Sequence, residues 1–333
     1  MSDPRADRTP RGPSARDIVG RFRRPLRVDW QQLIIYIGFV AVFTFFAITL
    51  HDKGFLQQNN LLNIVRQTAT ISVMAVAMTF VLSAAEIDLS VGAVAGLASV
   101  TTAMGIESFG LVGGIAAGLA TGIVVGVVNG LLTTKVGIPS FLVTLAMLGI
   151  ARGTAMFISD TAAVPILDEG YNSTFGSGDI GPIPTLLIWT LVVGTIGHVA
   201  LRKTRFGREV LATGGNQTAA LYSGVDVKKI QMRVLAISAL AAALAGMLYA
   251  GRLHSGRFQL GEGDELSVIA AAVLGGTLLF GGKGTVIGSI VGALMIGLIN
   301  NGLILMGLEF NLQLIAKGVI ILLAVAAAKP NRD

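Results

Sequence analysis

The chain of 333 residues contains no cysteine. Without a thiol it can form neither a disulfide nor a thiolate metal site. Its three histidines, His51, His198 and His254, lie far apart in the sequence, so a histidine-built metal site is not expected. Charge is also scarce: only 13% of the residues are charged, against about 25% in soluble domains. So few charges cannot cover a water-facing surface.

Hydrophobic residues make up 53% of the chain, and they gather in long runs. A lipid core of about 30 Å needs about 20 helical residues. Ten such runs lie near 33–50, 67–85, 91–106, 109–133, 139–158, 182–200, 233–251, 267–281, 285–306 and 312–328. Because the runs are continuous rather than alternating, helices and not barrel strands are expected. The sequence predicts an all-α polytopic membrane protein with about ten transmembrane helices.

The net charge of +6 does not indicate a nucleic-acid partner, because most basic residues lie in blocks between the apolar runs. Residues 1–30 carry eight arginines and are interpreted as a disordered cytoplasmic arm that touches lipid. With this arm inside, 19 basic residues fall in inner segments and four in outer ones. The positive-inside rule then predicts cytoplasmic termini and an outward-facing loop at 159–181.

Two pairs of similar stretches indicate a duplication. "DLSVGAVAGL" at 88–97 parallels "ELSVIAAAVL" at 265–274, and "GVVNGLL" at 126–132 parallels "GLINNGLI" at 297–304. An odd number of spans separates the copies, so they have opposite orientations. The sequence therefore predicts two inverted repeats of about five helices, with a substrate pathway at their interface.

The glycine-rich stretch "VLGGTLLFGGKGTVIG" at 273–288 invites comparison with a phosphate-binding P-loop. The P-loop pattern G-x-x-x-x-G-K-[ST] fails at two of its fixed positions, where Thr277 and Gly284 stand. A literal G-x-G-x-x-G, "GSGDIG" at 176–181, runs into "PIP" and no helix follows to receive a pyrophosphate. We expect no nucleotide site and no cofactor on this chain.

Four further stretches carry a family resemblance: "EIDLSVGA", "GIPSFLVTLAMLGIARG", "TRFGREVLATGGNQTAALYSGV" and "GEGDELSVIAAAVLGGTLLFGGKGTVIGSIVGAL". Together they resemble, in the same order, the ribose-type permeases of bacterial ABC importers, from about residue 60 to 328. The resemblance implies an inner-membrane permease that is not an enzyme. It also implies a cytoplasmic ATPase partner, a periplasmic sugar-binding protein, and pairing with a second, identical or similar permease. One transmembrane permease domain, 31–333, is expected.

The loop predicted at 202–232 is the candidate coupling element. Its stretch "NQTAALYSG" predicts a short helix with Asn216 as N-cap and Gly224 as its stop. Spacing alone fits a docking helix and an unpartnered surface helix equally. The resemblance implies docking, although Thr218 stands where glutamate is common. The candidate ATPase-coupling residues are Gly207, Arg208, Asn216, Ala219, Ala220 and Gly224.

Polar residues inside the apolar runs are candidates for the substrate pathway, because a polar group at membrane depth normally faces a cavity or a partner. They are Asp88, Ser90, Asn129, Asn300 and Asn301. Two other readings stay open: solvated helix ends for the acids Glu86 and Asp88, and packing between helices for the asparagines. Arg152 fits either snorkelling or an ion pair.

Two rival functions are weighed against the importer. A secondary transporter would use Glu86 or Asp88 to carry a coupling proton and would need no ATPase. An intramembrane enzyme would need a nucleophile, a base and an orienting group, and the sequence offers no convincing set.

Overall fold

The computed structural model describes residues 30–327, and this part is largely helical. The helices are α1 Trp30–Thr49, α2 Gln58–Ser83, α3 Val91–Leu131, α4 Ser140–Ile158, α5 Glu169–Asn172, α6 Thr185–Lys203, α7 Arg205–Gly215, α8 Gln217–Tyr222, α9 Val227–Leu253, α10 Asp264–Leu274, α11 Val286–Leu305 and α12 Phe310–Ala327. The arginine-rich arm predicted at 1–30 lies outside the described residues, except for Trp30.

Strands are confined to short stretches between helices. In the described part, β1 Val164–Pro165 pairs antiparallel with β4 Ser255–Gly256, and β2 Asp179–Ile180 pairs antiparallel with β3 Ile183–Pro184. Each of these strands has two residues, so the strand pairs only stabilise the connections between helices and form no sheet layer.

Six of the described helices are long and apolar enough to cross a membrane: α2, α3, α4, α6, α9 and α11. A shorter apolar stretch, Ile35–Thr49, lies in α1. Helices of this length and composition satisfy their own backbone hydrogen bonds in lipid. The chain is a polytopic helical membrane protein, and the predicted total of ten spans stays a prediction.

Helix α3 is two helices joined at a sharp break. Gly110 has φ 72° and ψ −175°, a backbone conformation that glycine adopts readily and other residues avoid. The hydroxyl groups of Thr101 and Thr121 lie 2.8 Å apart across the break. The chain therefore turns back on itself, and we call the antiparallel halves α3a (91–109) and α3b (111–131).

Both α3a and α10 begin after a stretch of non-helical chain. In segment 84–90, the N–H groups of Ile87 and Leu89 donate to the hydroxyls of Ser140 and Thr144 on α4, at 3.2 and 3.1 Å. In segment 254–263, Ser99 of α3a donates to the carbonyl of Arg257 at 3.0 Å. These bonds satisfy some of the backbone N–H and C=O groups that would be paired within a helix if these segments were helical.

Helices α2 and α9 are the most buried of the long helices and form the centre of the core. Helix α2 packs on α11, where Gly297 faces Thr68, and α9 packs on α3b, where Gly126 faces Ala236. Small residues at these crossings let the backbones approach closely in lipid. Most of the glycines that the sequence places inside apolar runs have this packing role.

Two helices begin well before their apolar runs, and α10 ends at Leu274, seven residues before the end of its run at 281. Helix α9 begins at Val227, six residues before its run, and α2 begins at Gln58, nine residues before its run. Hydropathy marks only the apolar part of a helix, whereas the hydrogen-bonded ladder continues through polar turns. The predicted loop 202–232 is therefore too long: α6 ends at Lys203, α9 takes its last six residues, and 204–226 is the true connection.

Candidate functional site

The connection 204–226 is folded into two short helices, α7 and α8. Thr204 caps α7, with its hydroxyl accepting from the N–H of Gly207 at 3.2 Å. Asn216 caps α8, with its side-chain oxygen accepting from the N–H of Ala219 at 2.9 Å. The predicted short helix and its N-cap are confirmed, whereas α7 was not predicted as a helix.

Helix α8 ends in the manner expected from its glycine. Gly224 has φ +83°, the left-handed region that closes many helices. The N–H of Gly224 donates to the carbonyl of Leu221, and that of Val225 to the carbonyl of Ala220, each at 3.0 Å. Both bonds satisfy carbonyls at the helix end and turn the chain towards α9.

The candidate coupling residues divide into exposed and buried ones. Arg208, Asn216, Ala219 and Gly224 are exposed, whereas Gly207 and Ala220 are buried. Because the side chain of Ala220 is only 4% exposed, it packs within its own chain rather than on a partner.

The outer surface of α8 also carries two apolar residues that the sequence analysis did not single out. Leu221 is 61% exposed and Tyr222 is 87% exposed. Exposed tyrosine and leucine on a capped helix are suited to burial against another protein. The signal in the sequence was the leucine–tyrosine pair inside the predicted short helix.

The glycine-rich loop between α10 and α11 packs against α7. A Cβ on Gly214 would overlap the carbonyl oxygen of Ser83, and it would lie 2.8 Å from the N–H nitrogen of Gly282. Gly281 and Gly282 both have positive φ, 91° and 83°. These glycines thus allow three backbone segments, from α2, α7 and the α10–α11 loop, to meet in contact.

Three of the polar pathway candidates lie together. Asp88 accepts from the N–H of Ser90 at 2.8 Å and from its hydroxyl at 2.6 Å. The amide of Asn129 on α3b donates to the same hydroxyl at 3.2 Å. All three side chains are fully buried, so this cluster joins segment 84–90 to α3b.

The other two candidates lie on α11, away from that cluster. Asn301 exchanges two hydrogen bonds with Asn60 of α2, at 2.9 and 3.1 Å. Asn300 lines a cavity of about 220 Å³ between α2, α9, α10, α11 and α12. The cavity is also lined by Gln67, Thr68, Tyr249, Arg252, Asp264 and Gln313 among others.

Glu86 lies at a third place. Its carboxylate accepts a hydrogen bond of 2.6 Å from the amide of Gln231 on α9. The pair lines a cavity of about 340 Å³ near the start of α4. Glu86 is therefore not part of the Asp88 cluster, and Gln231 is a polar partner that sequence reasoning missed.

Comparison with known proteins identifies the family of this chain. Residues 60–325 match the family described as branched-chain amino acid transport system / permease component. The chain belongs to this permease family. It is therefore a multi-pass membrane protein of transport, not an enzyme.

Individual members of the permease family align along most of their length. A ribose import permease from Bacillus subtilis is 40% identical over 89% of this chain and 92% of its own. An L-arabinose ABC transporter permease from Azospirillum brasilense is 37% identical over 91% and 90%. A D-allose transport system permease from Escherichia coli is 36% identical over 84% and 86%. No solved structure matches the chain significantly.

Proposed function

We propose that this chain is the permease subunit of an ATP-driven ABC importer for a monosaccharide, ribose or a related sugar. The names of three aligned relatives, for ribose, arabinose and allose, support the substrate class. The observation that carries the mechanism is the contact of Gly214 with Ser83 and Gly282. It links an exposed docking surface on α8 to helices that enclose the pathway.

The proposed topology has ten membrane-crossing segments in two inverted repeats. The first repeat is α1, α2, α3a, α3b and α4, and the second is α6, α9, α10, α11 and α12. Reciprocal packing supports the pairing, since the second helix of each repeat packs on the fourth of the other, α2 on α11 and α9 on α3b. In this arrangement both termini are cytoplasmic, in a bacterial inner membrane, and residues 31–333 form one permease domain.

The proposed partners follow from the family and its named relatives and, for the ATPase, also from an exposed surface. A cytoplasmic ATPase docks on α7 and α8, where Arg208, Ala219, Leu221 and Tyr222 are exposed. A periplasmic binding protein delivers the sugar to the opposite face. A second copy of the chain, or a similar permease, completes the pathway, and the chain itself holds no cofactor.

The coupling step is a displacement of α7 and α8 by the ATPase. Because Gly214 is in backbone contact with the end of α2 and with the α10–α11 loop, this motion reaches both repeats at once. Helices α2 and α10 then shift against each other, which opens the interface between the repeats to one side or the other. Asp88, Ser90, Asn129, Asn300 and Asn301 remain the proposed polar groups near that pathway.

The test is uptake by vesicles that contain the chain with its ATPase and binding protein. We expect import of at least one of D-ribose, D-allose and L-arabinose, dependent on ATP and on the ATPase subunit. A protonophore should leave uptake unchanged, because no proton gradient is used. Uptake without the ATPase that stops when the protonophore is added would instead establish the rival, a proton-coupled transporter.

A further inference from the structure

A third cavity, also lined by charged side chains, lies where helices α3a and α10 begin. It has a volume of about 220 Å³. Arg152 of α4 forms an ion pair of 2.6 Å with Glu262 at its wall. The wall also includes Gly92 at the start of α3a and Glu265 in the first turn of α10.

The ion pair is not enclosed by the chain. The side chains of Arg152 and Glu262 are 38% and 50% exposed. Arg152 is the thirteenth residue of α4, about 18 Å along the axis from Ser140. It therefore lies within the membrane in the proposed topology, at a depth where charged side chains face a water-filled cavity or a partner rather than lipid.

The cavity also lies on the interface between the proposed repeats. Helix α3a belongs to the first repeat and α10 to the second, and the backbones of Gly92 and Gly261 are in close contact. Secondary transporters built from inverted repeats hold their substrates at such an interface, beside the N-termini of broken helices, and we extend this geometry to the proposed importer. The ion pair at this depth and the meeting of helices α3a and α10 point to the same place.

We propose that this cavity, bounded by Gly92, Arg152, Glu262 and Glu265, is a hydroxyl-binding subsite of the translocation pathway; this rests on the proposed function. The guanidinium of Arg152 donates hydrogen bonds to sugar hydroxyl oxygens, and the carboxylates accept from hydroxyl protons. One cation beside two carboxylates suits a neutral polyol better than an anion. The subsite thus favours free sugars over sugar phosphates.

The first test uses thiol labelling. Because the chain contains no cysteine, only the introduced cysteine can react. Leu148 lines the cavity, whereas Ser177, in the connection between α4 and α6, is exposed and does not line it. Each is replaced by cysteine, and labelling by a hydrophilic maleimide is followed in vesicles with ATP, ATPase and binding protein. The imported sugar should slow labelling of the Leu148→Cys variant about threefold or more and leave labelling of Ser177→Cys unchanged.

The second test separates binding from a structural ion pair. Arg152→Ala should lower uptake about tenfold or more while the ATPase still co-purifies. The reversed pair, Arg152→Glu with Glu262→Arg, should keep the ion pair and still fail to restore uptake. Arg66→Ala breaks a comparable exposed pair with Asp179, of 2.7 Å, and should leave uptake unchanged.

Two outcomes would overturn the subsite. Equal labelling of Leu148→Cys with and without sugar, during normal uptake, is the first. Full uptake by the reversed pair is the second, because the pair would then be structural. Absence of ATP-driven uptake by the unaltered chain would instead contradict the proposed function. Failure of the subsite and failure of the proposed function are therefore distinguishable.

Discussion

Gly214 of α7 packs so closely on the carbonyl oxygen of Ser83, the last residue of α2, that no side chain fits between them. The same oxygen accepts a hydrogen bond of 3.0 Å from the N–H of Gly282. A rigid contact of this kind transmits displacement, because backbone atoms cannot rotate away as a side chain can. It therefore carries the mechanical part of the importer proposal.

The first prediction follows from this contact. Gly214→Ala places a methyl group on the Ser83 carbonyl, so α7 must move away from α2. We expect membrane insertion to persist and sugar uptake per ATP hydrolysed to fall about tenfold or more. Gly215→Ala is the matched control, since its Cβ would meet only the Cα of Gly282 at an ordinary 3.8 Å. Equal coupling ratios in the two variants would show that the contact does not transmit motion.

Tyr222 tests the docking surface directly. Its side chain is 87% exposed, so Tyr222→Ala removes little from the fold of the chain itself. If this ring is buried by the ATPase, the complex should weaken by about 2 kcal/mol or more, as for other interface aromatics. The measurement is the affinity of the ATPase for the permease in detergent. Tyr222→Phe keeps the ring and should bind nearly normally; unchanged affinity in the alanine variant would place docking elsewhere.

Gly224 tests whether the end of α8 must be a left-handed turn. A Cβ at this position would meet no neighbouring atom within 4 Å, so substitution acts through the backbone alone. At φ +83°, valine is strained by about 1–3 kcal/mol, and α8 should fray. Gly224→Val should therefore reduce ATPase co-purification, whereas Gly224→Asn should be tolerated because asparagine accepts this conformation. Equal loss in both variants would point to the size of the side chain instead.

The local features of this site could be read from the sequence. The N-cap at Asn216 and the stop at Gly224 each depend on residues within one helical turn, so residue type alone predicts them. The burial of Ala220 depends on what packs against a helix of only six residues. Such a helix is too short to show an apolar periodicity, so its inward face could not be predicted.

Contacts between residues far apart in the sequence could not be predicted in the same way. Apolar runs predicted the helices but not their partners, since hydropathy is insensitive to which helix lies alongside. Gly214 and Ser83 are 131 residues apart in sequence, and Arg152 and Glu262 are 110 apart. For Arg152 the sequence left an ion pair and snorkelling equally open, and the structure has the ion pair.

The topology is tested by labelling in intact cells. Ser177 is exposed and lies in the connection between α4 and α6. The charge distribution predicts that this connection faces outward. Ser177→Cys should react with an impermeant thiol reagent in intact cells. Ser223→Cys, exposed beside α8, should react only after permeabilisation. The reverse pattern would invert the topology and remove the ATPase from its proposed docking surface.

The last prediction concerns two neighbouring asparagines with different surroundings. Asn301 exchanges hydrogen bonds with Asn60, whereas Asn300 lines the cavity that also includes Asp264. Hydrogen bonds between membrane helices contribute about 0.6 kcal/mol on average, so Asn301→Ala should lower thermal stability slightly.

A double-mutant cycle with Asn60→Ala isolates this contribution, because the second substitution should cost little once the first partner is gone. Asn300→Ala should behave in the opposite way, with unchanged stability and altered sugar uptake, because a cavity-lining amide can contact solute. Thermal unfolding in detergent and vesicle uptake are measured on the same preparations. Additive stability losses at Asn60 and Asn301 would show that the pair does not hold α2 to α11.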